Sequence, residues 1–193
     1  MGTPNTGPTS IQGWMSPPEL LFLEQAGRGR TIVEFGSWVG RSTKALAAEA
    51  QRLVACDWWE GDHHSNGIHD RMLREGLDVE AEFRKNLAEE IEEDRVRPLT
   101  VDLRSPQAFE DIWNRLGHHS PSMVFIDANH CAPHPALDIE LALALVGTSG
   151  VVCGHDYDPR GWPDVVKAVN QAFHTVRRGP DSIWWALAAD RRA

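Results

Sequence analysis

Asp127 and His130 follow the apolar run Met123-Val124-Phe125-Ile126, and His155 and Asp156 follow Gly150-Val151-Val152-Cys153-Gly154. Carboxylates that end neighbouring buried strands can converge at one sheet edge. Two or three such groups with open positions suit Mg²⁺ or Mn²⁺ shared with water and a substrate oxygen. His130 carries an imidazole that can take a proton near neutral pH, and a cation on the same hydroxyl would ease its removal. A second grouping, Glu34-Phe35-Gly36-Ser37-Trp38-Val39-Gly40, lies between an apolar run and an Ala-rich stretch. Its glycines let backbone approach a ligand, and the helix behind them offers unpaired N–H donors. The spacing is E-x-G-x-x-x-G rather than G-x-G-x-x-G, which disfavours a grip on a dinucleotide pyrophosphate. Asp57 ends the next apolar run, where an acid can accept hydrogen bonds from ribose hydroxyls.

These residues need a scaffold that presents strand ends side by side. Thr31 to Phe35, Leu53 to Asp57, Val96 to Val101, Met123 to Asp127 and Gly150 to Gly154 read as strands. Helices are expected from Ser16 as cap onward, over Ser42 to Arg52, Val79 to Glu93, Pro106 to Leu116, Ala136 to Val146 and Asp164 to Phe173. His174 to Arg177 and Ser182 to Ala188 read as a closing hairpin, with Trp184 and Trp185 alternating between core and cover. Strands alternating with helices imply an α/β fold, a mostly parallel sheet covered on both faces. Ligands in such folds bind outside the carboxyl ends of the strands. Residues 1–18, rich in Gly, Pro, Thr and Ser, read as a flexible N-terminal tail.

The chain has 193 residues and a formal net charge of −9, from 19 Lys+Arg against 28 Asp+Glu. One domain with one core fits that length. The acidic balance argues against nucleic acid or an anionic membrane as partner and leaves small molecules or proteins. No run is apolar enough to span a bilayer and no signal-peptide layout opens the chain, so the expected compartment is cytoplasmic. Cys56, Cys131 and Cys153 lack C-x-x-C spacing and read as free thiols. Eight Trp and nine His are many for this length, and Trp38, Trp58, Trp59, His63, His64, His130, His155 and Trp162 all fall in expected carboxyl-edge loops.

Three more segments complete a pattern with the glycine motif: Asp57-Trp58-Trp59-Glu60-Gly61-Asp62-His63, Phe125-Ile126-Asp127-Ala128-Asn129-His130 and Gly154-His155-Asp156-Tyr157. In this order they resemble the class I S-adenosylmethionine-dependent methyltransferases, and within them the small bacterial group related to macrocin-type and other sugar O-methyltransferases. The resemblance covers roughly residues 19 to 188, so 19–193 is read as a single methyltransferase domain. It implies a Rossmann-like seven-stranded sheet with its last strands antiparallel. It implies S-adenosylmethionine held by Glu34, Gly36, Ser37, Gly40 and Ser42 around its methionine part, by Asp57 at the ribose and by Trp58 and Asp102 at the adenine. It also implies a divalent metal on Asp127, His155 and Asp156, where the resembled group has Asp, Glu and Asp, with His130 as general base.

Two readings of His155 remain open, a ligand that shifts preference from Mg²⁺ toward softer metals or a hydrogen-bond donor that binds none. The implied acceptor is the hydroxyl of a small polyhydroxylated molecule, a sugar or vicinal diol. Trp59, His63, Tyr157 and Trp162 are the candidates to touch it. The segment 58–77 reads as a lid, and selectivity must reside there, in the loops after Asp127 and Asp156, or in a neighbouring subunit of a homo-oligomer. Two other readings are a hydrolase or oxygenase with Asp127, His130 and His155 as ligands, and a non-catalytic cofactor-binding module.

Overall fold

A computed structural model describes residues 7–61 and 75–192. Seven strands form one sheet: β1 (Thr31–Phe35), β2 (Arg52–Asp57), β3 (Val96–Thr100), β4 (Met123–Ile126), β5 (Val151–Gly154), β6 (Arg177–Arg178) and β7 (Trp184–Leu187). Their order is β3-β2-β1-β4-β5-β7-β6. The first five are parallel, β7 runs antiparallel to β5, and β6 runs antiparallel to β7. The mostly parallel sheet expected from the alternating pattern is present, and its seven strands with the last ones antiparallel form the Rossmann-like arrangement that the resemblance implied.

Alternation along β1 assigns its side chains to two cores. Val33 and Phe35 join Val54, Val124 and Val152 on one face, beneath α5 (Ala108–Arg115), α6 (His134–Val146) and α7 (Pro163–Ala172). Ile32 joins Leu53, Met123 and Phe125 on the other, beneath α1 (Pro17–Gly27), α2 (Arg41–Ala47) and α3 (Val79–Asn86). Trp184 is buried and Trp185 half-buried beneath the Arg177 guanidinium, so the final strand alternates as its sequence suggests. The strand order reverses direction between β1 and β4, so the loops after these strands diverge and leave a crevice at the carboxyl edge.

Two expectations change. The helix expected over Val79 to Glu93 is divided at Leu87 into α3 and a short α4 (Ala88–Glu92). Leu87 is fully buried, and its side chain takes the space that a Cβ on Gly40 would fill, 2.3 Å away. The described part of the tail, residues 7–16, is not free. Arg41 donates to the carbonyls of Ile11 at 2.6 Å and Met15 at 2.8 Å, both of whose side chains are buried. Trp14 lies 4.7 Å from the ring of Trp38. Ser16 then caps α1 in a full capping box with Glu19, as the Ser16-Pro17-Pro18-Glu19 run suggests.

Charge-assisted bonds of this kind contribute about 1.5–3 kcal/mol each. Arg41→Ala should therefore lower stability in urea melts by about 1–3 kcal/mol. It should also make residues 7–16 the first site of limited proteolysis.

Candidate active site

The carboxyl ends of β1, β2 and β4 open onto a cleft, and a smaller recess adjoins it between β4, β5 and α7. Gly36, Asp57, Trp58 and Asp102 line the cleft, together with Asp127, Asn129, His134 and Asp138. Asp57 fastens the glycine loop to the end of β2. Its Oδ2 accepts from the N–H groups of Ser37 at 2.9 Å and Trp38 at 2.8 Å, and its Oδ1 from Trp59 at 2.8 Å. Burial raises its pKa, and these backbone donors pull the other way. Asp57 also lines the cleft, so its carboxylate borders a ligand held there.

Trp58 presents its ring beneath the Arg104 guanidinium, 4.9 Å from the ring centre. Arg104 in turn donates to Asp102 Oδ1 at 2.8 Å and Oδ2 at 3.2 Å, which holds the Asp102 carboxyl below its usual range. Asp102 thus reaches the cleft as half of an ion pair.

Glu34, Ser37, Gly40 and Ser42 do not line the cleft. Glu34 is fully buried behind the loop, where its Oε2 accepts from Ser37 Oγ at 2.8 Å and Thr43 Oγ1 at 2.5 Å. Burial lifts its pKa to about 7 although the hydroxyls of Ser42, Thr43 and Ser37 oppose the rise. Gly40 has φ 95° and packs against Leu87 and Phe83. Gly36 lines the cleft, but its lack of a side chain answers to packing as well. A Cβ there would lie 2.1 Å from the Asp127 carbonyl oxygen.

In the recess, ligand atoms of Asp127, His130 and Asp156 lie within 4.8 Å of one another. His130 Nε2 is 2.6 Å from Asp156 Oδ2 and 3.6 Å from Asp127 Oδ1. The first contact lacks hydrogen-bond alignment and the second is too long for one, so Nε2 is buried among carboxylates without a directed partner. Burial favours the neutral ring, but the two carboxylates outweigh it and raise His130 to about 10. His155 is not in this ligand set. Its Nε2 faces Glu19 Oε1 at 3.0 Å, its Nδ1 faces Asp156 Oδ2 at 3.1 Å, and Asp127, Asp156 and Glu19 hold it near 12 against the effect of burial. The geometry therefore favours the hydrogen-bond-donor reading of His155 and brings His130 into the cluster in its place.

Among the residues expected to touch an acceptor, Trp162 lies with its ring centre 4.3 Å from that of His130, tilted by 31°, and is 40% exposed. Trp59 lines the cleft, but its ring is committed to the core: it packs against Phe83 and donates to Thr100 Oγ1 at 3.1 Å. Tyr157 turns away, its hydroxyl donating to Asn170 on α7 at 2.7 Å and its ring covered by Arg178. Neither has the free polar edge expected of a substrate contact. His63 and most of the segment 58–77 lie outside the described residues. Glu19, Arg104, Asn129, His134 and Asp138 are site residues that the sequence reading did not single out. Of these, Glu19 had a visible signal in its capping-box position and Asn129 in its place within the segment from Phe125 to His130.

The family model described as a methyltransferase domain matches residues 33–157, more than half of the chain. The chain belongs to this methyltransferase family. Among solved structures it is similar to cofactor-bound Rv0187 from MTB, with 18% identity, TM-score 0.65, and coverage of 94% of this chain and 84% of that one. It is also similar to an O-methyltransferase from Bacillus cereus in complex with SAH, at 19% identity, TM-score 0.59 and coverage of 92% and 84%. A third is CalS11, a calicheamicin methyltransferase, at 15% identity, TM-score 0.58 and coverage of 88% and 76%. A search of curated proteins returns no significant match. The methyltransferase is therefore an enzyme of the class I fold, and the hydrolase, oxygenase and non-catalytic readings give way. No helix among its described residues is long and apolar enough to cross a membrane.

Two buried carboxyls make its stability pH-dependent. Burial raises Asp138 to about 7, with His130 opposing, and Glu34 is also near 7, whereas both ordinarily titrate close to 4. The folded state thus binds these protons more tightly than the unfolded chain. The stabilisation is full below about pH 4 and is lost as pH rises through about 7. At about 1.36 kcal/mol per group and pH unit, calorimetric melts should show these two groups contributing a fall on the order of 5 kcal/mol between pH 5 and pH 8. Glu34→Gln should flatten that slope and melt higher than the parent at pH 8.

Proposed function

We propose that this methyltransferase transfers the methyl group of S-adenosylmethionine to a hydroxyl of a small polyhydroxylated acceptor, a sugar or vicinal diol, with assistance from a divalent cation, Mg²⁺ or Mn²⁺. The convergence of Asp127, His130 and Asp156 beside the cleft carries this reading. The solved structures add weight: one similar chain is named as a complex with SAH, and CalS11 is named as a TDP-rhamnose 3′-O-methyltransferase.

The residues present fit both groups. Val79, Val101 and Leu103 with the flat ring of Trp58 make an apolar wall for a heterocycle, and the Asp57 carboxylate borders the cleft where a ribose hydroxyl would lie. The backbone of Gly36 borders the methionine end. Glu34, Ser37, Gly40 and Ser42 act from behind, by holding the loop in shape. For the cation, the carboxylates of Asp127 and Asp156 would supply hard oxygen donors with open positions, and His130 Nε2, buried beside them, would stay free to serve as base.

When bound, the cofactor supplies a methyl already activated by its sulfonium, and a cation on Asp127 and Asp156 supplies acidity to the acceptor hydroxyl. The chain's own work is alignment and proton removal. Asp127 sits on both the cleft and the recess, so it fixes the acceptor oxygen relative to the cofactor. His130 takes the hydroxyl proton at Nε2 once the charge of the neighbouring carboxylates is compensated. Trp162 packs against the His130 ring and helps to orient it.

Isothermal calorimetry should register S-adenosylmethionine binding, and its absence would falsify the cofactor assignment. In a turnover assay across sugar and diol acceptors, a chelator should abolish activity. Asp127→Asn and Asp156→Asn should do the same, and full activity in either would remove the metal from the reaction. His130→Ala should cost about 10²–10⁴-fold in kcat.

A further inference from the structure

Glu19 occupies the third position of α1 and is 3% exposed. Its Oε2 accepts from the backbone N–H of Ser16 at 2.8 Å, the ordinary use of a capping-box glutamate. Its Oε1 does something a cap does not need. It accepts from the N–H and the hydroxyl of Ser182, each at 3.2 Å, and meets His155 Nε2 at 3.0 Å, across 136 residues of chain.

Both of these partners lead to Asp156. The far side of the His155 ring places Nδ1 3.1 Å from Asp156 Oδ2. Ser182 Oγ accepts from the Asp156 N–H at 3.3 Å. Asp156 itself sits at φ 61°, a conformation that a non-glycine residue holds only when its surroundings impose it. One buried oxygen of Glu19 thus reaches the carboxylate of Asp156 through the imidazole and its backbone through the serine.

We infer that Glu19 is a positioning residue for the Asp127, His130 and Asp156 cluster, fixing through His155 and Ser182 the orientation in which Asp156 can ligate a divalent cation. The inference rests on the metal reading above. Glu19 does not itself belong to the group of ligand atoms among the described residues. Its part is that of the outer partners that orient metal ligands, whose removal weakens binding without removing a ligand.

Titration of the full chain with Mn²⁺ alone, read as free Mn²⁺ by electron paramagnetic resonance, tests this without any turnover. Glu19→Gln should raise the dissociation constant about 10–100-fold. Ser16→Ala, which removes the cap acceptor of the Glu19 N–H and the 2.6 Å hydrogen bond to Asp181 but leaves the Glu19 carboxylate in place, should lower the melting temperature and leave Mn²⁺ affinity unchanged. His155→Gln leaves the α1 cap intact and should weaken Mn²⁺ to a similar degree. The double variant should be no weaker than Glu19→Gln alone, because His155 carries part of the effect of Glu19. Parental affinity in Glu19→Gln, equal weakening in Ser16→Ala, or additive losses in the double variant would each overturn the positioning role while leaving the metal reading intact. If the parental chain binds no Mn²⁺, the metal reading fails first and this inference with it.

Discussion

Parallel strands deliver their carboxyl ends to the same edge, and in this methyltransferase that edge collects Glu34, Asp57, Asp127 and Asp156. Two like charges 4 Å apart repel by about 4 kcal/mol at an effective dielectric of about 20, so such a gathering must be compensated group by group. Each carboxyl is handled differently. Glu34, buried deepest, is surrounded by hydroxyls and holds its proton up to about pH 7. Asp57 is met by backbone N–H groups of the glycine loop, so its charge becomes the fastening of that loop. Asp127 and Asp156 face two imidazoles, which depress their own pKa values while rising in turn. The shape of the cofactor loop and that of the acidic cluster are thus two solutions to one electrostatic constraint.

The two solutions are mechanically joined. Gly36 N–H donates to the Cys56 carbonyl at 2.9 Å, and Asp127 N–H donates to the Phe35 carbonyl at 2.8 Å. The sheet ladder therefore continues one residue past the strands, into both loops. The close pass of Gly36 over the Asp127 carbonyl leaves no room for either to shift alone. Methyl transfer requires an acceptor oxygen and a methyl carbon held in line, and a small misplacement of either is costly in rate. Building both sides on the ends of adjacent strands, rather than on long loops, secures that alignment with little material.

The residues legible in the sequence are those whose position follows from strand periodicity. Asp57, Asp127 and Asp156 directly follow or end apolar runs, and a parallel sheet leaves such residues nowhere to go but the ligand edge. The missed or misread residues lack that constraint. A glycine in a loop looks the same whether it makes room for a ligand or for a neighbouring side chain, which is why Gly40 was expected at the cofactor and is found against Leu87. Trp59 and Tyr157 lie beyond strand ends, where no period fixes which way a side chain turns, and packing turned them inward. Glu19 showed only its local use, since its contact with His155 joins the start of α1 to the end of β5 across 136 residues and no short-range pattern encodes that.

Packing also decides which way the candidate base points. Trp162, at the entrance to α7, lies against the ring of His130 at a tilt of 31°, and that contact restricts how the imidazole can turn. The nitrogen edge is directed at Asp127 and Asp156. Direction set by an aromatic neighbour does not depend on the charge of the cluster, whereas direction set by the carboxylates alone would be lost whenever that charge is compensated. The Trp162 contact therefore allows His130 to keep its place through the change in electrostatics that proton removal at neutral pH requires.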